Sequence, residues 1–117
     1  MPEERTDEAM RIAKIRKLND EFRENAIGNG SIMITAGVQE LGEEAMKDVI
    51  AAVQRFDDFS NANDPYGEHD FGALTVDSER VFWKIDYYDQ SRTMHSPNPA
   101  DDTVTHRVLT IMLAGEY

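Results

Sequence analysis

Residues 80–88 read RVFWKIDYY, and their alternation of side chains decides the fold class. Successive side chains of a β-strand point to opposite faces of the sheet, so this pattern predicts a strand with two unlike faces. We expect the buried face to carry Val81, Trp83, Ile85 and Tyr87. The other face then carries Phe82, Lys84, Asp86 and Tyr88. The first face belongs to a core, and the second alternates aromatic rings with one base and one acid.

Two further strands are predicted on the N-terminal side. Residues 69–77 form one of them, joined to residues 80–88 by a tight turn around Ser78. Residues 31–36 (SIMITA) form the other, because they are short, apolar and β-branched and lie between Gly30 and Gly37. The three strands predict a small, mainly antiparallel sheet.

Helical spacing of apolar residues predicts the remaining elements. Residues 1–26 form an amphipathic helix, and residues 43–56 form a second one. Residues 103–113 suit a helix, because residues 99–102 (PADD) are a good N-terminal signal, although residues 108–113 also suit a buried strand. With the helix, the order is α-β-α-β-β-α. We therefore predict an α+β domain in which two to three helices pack mainly on one face of a three-stranded sheet, with Val53 and Phe56 buried against Trp83 and Ile85.

The composition predicts one small cytoplasmic domain. The 117 residues are 40% hydrophobic, which fits one domain over residues 1–117, with residues 1–14 as a less ordered helical extension. The chain has no cysteine, which excludes disulfides and thiolate sites. We expect no signal peptide and no membrane association, because residues 1–25 lack an apolar stretch and no apolar run reaches spanning length.

The charge balance limits the partners. Twelve Lys and Arg against 23 Asp and Glu give a formal net charge of -11. Direct nucleic-acid binding is therefore not expected, since phosphates require a basic surface. The acidity has three alternative explanations, namely solubility, attraction to a basic partner, or a carboxylate site for a cation.

Several longer strings resemble one family. They are FDDF at 56–59, NDPYGEHDFG at 63–72, VFWKIDYYD at 81–89 and RVLTIMLAGEY at 107–117, with LNDEFR at 18–23 and ITAGV at 34–38 as an opening. Together they resemble the bacterial family catalogued as domain of unknown function 3768, from about residue 15 to the C-terminus. The resemblance implies a bacterial protein of one domain, and it implies no activity, substrate or catalytic residue.

One set of residues suggests a metal site. Carboxylates and an imidazole are ligands for divalent metals and can also act as acids and bases. The candidate ligands are Asp64, His69, Asp70 and Asp86, of which His69, Asp70 and Asp86 are also the candidate catalytic groups. Asp57 and Asp58 lie at the negative end of the second helix, so a cation or Lys84 is expected to offset them. The alternative function is therefore a metal-assisted hydrolase, although no spaced metal motif is present.

A second set of residues suggests a binding surface. Glu40, Glu44 and Asp48 are spaced to form one acidic row if the helix starts early enough, and Phe82 and Tyr88 are candidate anchors on the exposed strand face. Rows of carboxylates can also stand in for DNA phosphates, as in some inhibitors from mobile elements. Because no catalytic motif is present, we expect a cofactor-free, non-enzymatic module that binds a protein with a basic surface, with homo-oligomers as a further possibility.

Overall fold

A computed structural model describes the backbone from Pro2 to Tyr117 and the side chains from Asp7 onward. Three α-helices, four strands and two 3₁₀ turns follow one another along this part of the chain. In chain order they are α1 (Pro2–Asn25), β1 (Gly30–Ile34), α2 (Ala36–Gln39), α3 (Glu43–Gln54), β2 (Phe71–Val76), β3 (Glu79–Tyr88), a 3₁₀ turn (Asp102–Val104), β4 (His106–Leu113) and a second 3₁₀ turn (Ala114–Glu116). The predicted α+β class is confirmed, and α1 runs without a break through the expected extension over residues 1–14, from Pro2 onward.

The strands form one mixed sheet in the order β1-β4-β3-β2. β1 pairs with β4 in parallel, while β3 is antiparallel to both β4 and β2. The prediction of a three-stranded, mainly antiparallel sheet is therefore wrong in strand number and in the one parallel pair.

The helix predicted over residues 103–113 is also wrong, because this segment supplies β4. Arg107, Leu109 and Ile111 are buried at every second position and point toward the helices, and Met112 is buried as well. A strand here gains hydrogen bonds on both sides, from β1 and from β3, which local helix propensity cannot match. The expected cap does form at Asp101, whose side chain accepts a hydrogen bond from the Thr103 amide, but it begins only the short 3₁₀ turn.

The core lies between the sheet and the three helices, which confirms the prediction that the helices pack on one face. Val81, Trp83, Ile85 and Tyr87 are buried as the alternation of β3 predicts. Phe56 contacts Trp83 edge-on, with 5.5 Å between ring centroids, and Val53 belongs to the same core. A β-carbon on Gly72 of the neighbouring strand would clash with the indole of Trp83, so this position requires glycine.

The buried side of α1 is partly polar. Ile15 and Phe22 are buried, while Ile12 and Leu18, which recur with them at helical spacing, are only half-buried. Two polar side chains, Asn19 and Arg23, are as buried as the apolar ones.

No helix among the described residues is long and apolar enough to cross a membrane.

Candidate functional site

The predicted acidic row is divided between two helices. Glu40 follows the last turn of α2, and Gly42 separates it from α3, which begins at Glu43. Glu44 and Asp48 lie one turn apart on α3, and both are exposed. Of this row, α3 therefore carries Glu44 and Asp48, while Glu40 caps the C-terminal end of α2.

A groove lies beside Asp48, toward the C-terminal end of α3. It has a volume of ≈ 380 Å³ and lies between α3 and the turn that joins β2 to β3. Asp48 and Asp77 lie on its two sides, its lining includes Ala51, Ala52, Thr75 and Val76, and Arg55 also contributes. A long cationic side chain could lay its methylene groups on the alanines and valine and place its charge beside the two carboxylates.

The predicted anchors Phe82 and Tyr88 lie on the opposite side of the sheet. Phe82 packs against Phe71 and Tyr117, with ring centroids 5.5 and 5.6 Å away. Because the helices cover the other face, the sheet itself lies between these two aromatic side chains and the α3 carboxylates. The structure thus separates the five residues predicted to bind one partner into two surfaces.

Lys84 and Asp86 form an ion pair on the same open face. Their Nζ and Oδ2 atoms are 2.9 Å apart, and the hydrogen bond to Asp86 raises the pKa of Lys84 above its ordinary value. Lys84 therefore neutralises Asp86 and is directed away from the C-terminal end of α3.

His69 lies under α1, and each of its two ring nitrogens contacts a carboxylate. Nδ1 is 2.9 Å from Asp20 and Nε2 is 3.5 Å from Asp64, while the ring stacks on Phe59 at 3.6 Å. The backbone of His69 has a φ of 57°, a left-handed conformation that is uncommon outside glycine. Its amide donates to the Asp64 side chain, which helps to hold that conformation. Two carboxylates and one aromatic ring of the same chain therefore hold the imidazole in place.

The four candidate metal ligands do not converge. Asp64 and His69 are in contact, but Asp86 belongs to the open face of the sheet and is paired with Lys84. Asp70 precedes β2, and its burial together with Glu68, Asp64 and Asp86 nearby raises its pKa above the ordinary value. Over residues 7–117, no group of three or more histidine or carboxylate side chains is placed to hold a metal ion.

A buried arginine compensates the negative end of α3. Arg23 donates from Nε to the carbonyl of Val53 at 3.2 Å and from NH2 to the carbonyl of Phe56 at 2.9 Å. Cations are favourable at this end of a helix, where carbonyl groups lack partners within the helix. Of the two expected alternatives, a cation or Lys84, the structure rules out Lys84, which pairs with Asp86 on the open face of the sheet. Arg23 of α1 compensates this helix end from a buried position.

A second buried polar group connects α1 to the sheet. Asn19 donates to the Tyr87 hydroxyl at 2.8 Å and accepts from Arg107 Nε at 2.7 Å. Arg107 also donates to the carbonyl of Pro99 and to Asp102, and the Tyr87 hydroxyl donates to Glu68. Sequence reasoning missed this network. The available signal was the spacing of Asn19 and Arg23, which places them on the same helix face as Ile15 and Phe22.

The comparisons with known proteins identify the family. A family model described as Protein of unknown function (DUF3768) matches residues 34–116. Because this match spans most of the chain, the protein belongs to that family, and the resemblance found in the sequence is confirmed. No curated protein and no solved structure matches the chain. The family description names no activity, so the function has to be argued from the residues themselves.

Proposed function

We propose that this domain is a protein-binding module whose acidic surface on α3 meets a basic surface of its partner. The observation that carries the proposal is the pair Glu44 and Asp48, exposed one turn apart on α3. Among the described residues, neither carboxylate has a cationic nitrogen within 4.0 Å, whereas the neighbouring Lys47 is paired with Glu43 at 3.3 Å. Two uncompensated like charges at this spacing cost a few tenths of a kcal/mol, which a basic partner would recover.

The distribution of the cations supports the same proposal. Residues 27–117 contain sixteen acids and six bases. Three of these six bases already pair with a carboxylate, because Lys47 contacts Glu43, Lys84 contacts Asp86 and Arg107 contacts Asp102. The surface beyond α1 therefore presents a negative field that attracts a basic partner over long range and weakens as salt screens it.

The groove beside Asp48 suggests what this surface recognises. A lysine or arginine of the partner could enter between Asp48 and Asp77, with its apolar stem against Ala52 and Val76. Arg55, which also lines the groove and is exposed, would then turn toward solvent. Phe82 and Tyr88 take no part in this contact, because they lie on the other side of the sheet. The proposed surface therefore consists of Glu40, Glu44, Asp48 and Asp77.

The experiment compares two charge reversals of equal size. The double variant Glu44→Lys plus Asp48→Lys and the control Asp57→Lys plus Asp58→Lys change the net charge equally, and all four residues are exposed. Each protein is immobilised at low salt and exposed to lysate of the source cell, and bound proteins are identified and then eluted with about 0.5 M salt, where screening acts within a few ångströms.

The proposal expects one basic protein to be retained by the wild type and by the control, lost from the α3 variant, and eluted by salt. Competition by DNA for that partner would show that its basic surface also holds nucleic acid. Retention of every captured protein by the α3 variant, in high salt as well, would refute the proposal and leave the charge as a means of solubility.

A further inference from the structure

Within the described part of the chain, backbone groups at the outer edge of β1 have no strand partner. The Arg107 amide donates to the carbonyl of Asn29 at 3.0 Å, and the Thr35 amide donates to the carbonyl of Ile111 at 3.1 Å. Residues of a strand alternate in the direction of their backbone groups, so Gly30, Ile32 and Ile34 direct their N–H and C=O groups away from β4. Of these groups, the Ile34 carbonyl accepts a hydrogen bond from the Gln39 side chain at 2.7 Å.

Apolar side chains are exposed along the same edge. Ile32 is 46% exposed and Met33 is 57% exposed, and Ile27, shortly before the strand, is 56% exposed. Edge strands are usually protected from pairing by a charge, a proline or a bulge. Gly30–Ile34 contains no charged residue and no proline, so it is open to another strand.

The absence of charge at this edge selects the partner. No charged residue occurs between Asn25 and Glu40, although 30% of the whole chain is charged. The other edge strand, β2, is bracketed by Asp70 and Asp77. A basic partner would gain nothing from the uncharged strand, whereas a second copy of this acidic chain can approach there without meeting like charges on the strand itself.

We propose that two copies of this chain pair through β1, antiparallel and about a two-fold axis at Ile32. In this register Ile32 faces Ile32 of the second copy, and Gly30 faces Ile34. These are the residues whose backbone groups point outward, so each facing pair can exchange two hydrogen bonds once the exposed Gln39 side chain turns away from the Ile34 carbonyl. Ser31 then lies opposite Met33, and the two sheets become one continuous sheet with an isologous interface.

The salt dependence of this dimer is opposite to that of the proposed partner contact. Two copies that each carry a charge of -11 repel one another, and salt screens that repulsion. Dimerisation should therefore strengthen as the salt concentration rises, while binding of a basic partner weakens. The Glu44→Lys plus Asp48→Lys variant should still dimerise, so either proposal can fail without the other.

The test is sedimentation of the full chain at low salt and at about 0.5 M salt, at protein concentrations up to about 0.5 mM, where even weak association is populated. We expect a species of twice the 13.3 kDa chain mass that increases with salt. Ile32→Lys places two lysines against each other at the axis and should yield monomers. Thr75→Lys adds the same charge at an exposed position of β2, the opposite edge of the sheet, and should leave the dimer intact. Thermal melting checks that both variants fold.

Amide exchange identifies the strand independently of the variants. In the dimer, the amides of Gly30, Ile32 and Ile34 become protected as the protein concentration rises, because each then donates to the second copy. A wild-type chain that stays monomeric at all these concentrations overturns the proposal. A dimer that persists in the Ile32→Lys variant also overturns the proposal. The same holds if β1 pairs only with an extended segment of a different protein.

Discussion

The layer between helices and sheet has two halves that are built from different chemistry. Beneath α3, the contact consists of apolar side chains such as Val49, Val53 and Val81 packed around Trp83. Beneath α1, buried polar side chains meet the sheet, with Asn19 bonded to Arg107 at 2.7 Å. Both halves are equally closed to water, since Trp83 and Asn19 are each 0% exposed.

The difference decides how each helix is held. Apolar packing has no direction, so the α3 half is stabilised in proportion to the area buried and tolerates swaps that conserve volume. Buried hydrogen bonds have fixed partners, so the loss of one side chain in the α1 half leaves another polar group unpaired. The α3 half should therefore respond to changes in volume, and the α1 half to changes in hydrogen-bonding groups.

The largest effect is expected at the centre of the apolar half. Trp83→Ala removes the side chain around which α3 packs and should lower the free energy of unfolding by about 3–5 kcal/mol. Since small domains are stable by only about 5–15 kcal/mol, this variant would be close to unfolded. Urea denaturation followed by far-UV circular dichroism measures the loss. Phe82→Ala, one residue along β3 on the open face, should cost clearly less, and an equal cost would contradict the assignment of the two faces.

The apolar half was predictable from sequence, and the polar half was not. The alternation in residues 80–88 places Trp83 and Ile85 in the core, because a period of two is a direct signature of a half-buried strand. Arg23 and Arg107 have side chains that are usually solvated, so their burial depends on distant partners such as the Val53 carbonyl and Asp102. Local patterns carry no information about such partners.

The same limit explains the missed strand and the separated site residues. Residues 103–113 fit a helix by spacing, and only the pairing with both β1 and β3 makes them a strand. Phe82 and Glu44 are each exposed to some degree, as expected, but the sequence does not give the position of α3 relative to the sheet. The sequence therefore predicts the exposure of each residue, but it does not predict whether two exposed residues lie on the same surface.

A smaller effect is expected in the polar half. Arg107→Met keeps an apolar stem of similar length but removes the donors to Asn19 and Asp102. The buried Asn19 oxygen then lacks that partner, so stability should fall by about 2 kcal/mol, although little volume is lost. The same denaturation experiment measures this. Arg80→Met makes the identical change at an exposed position of β3 and should stay within about 0.5 kcal/mol.

If Arg107→Met lowers the free energy of unfolding no more than Arg80→Met does, the inference that buried hydrogen bonds hold the α1 half is contradicted. In that case the buried hydrogen bonds would contribute nothing beyond packing. A complementary check is Asn19→Leu, which removes the acceptor of Arg107 Nε and the donor to Tyr87 while filling a similar volume. It should destabilise the fold as well, because buried partners are again left unpaired.

The smallest expected effect is a gain in stability. It concerns Asp70, which lies with Asp64 and Glu68 in the acidic loop before β2. Burial, together with Glu68, Asp64 and Asp86 nearby, raises the pKa of Asp70 above its ordinary value of 3.8. A carboxyl group whose pKa is raised by folding stabilises the fold fully at pH values below its pKa in the unfolded chain. This contribution is lost as the pH rises through the higher folded-state pKa, because the folded protein then carries an unfavourable buried charge.

Asp70→Asn should therefore melt at a higher temperature than the wild type at pH 7, and the difference should shrink toward pH 3, where Asp70 is protonated. Asp101→Asn is the control of opposite sign, because hydrogen bonds from Thr103 lower the pKa of Asp101. Its stabilising contribution is present above the unfolded pKa and is lost as the pH falls, so this variant should melt lower than the wild type at pH 7. If Asp70→Asn also melts lower at pH 7, Asp70 accepts hydrogen bonds that outweigh its burial, and the loop belongs with the stabilising part of the polar half.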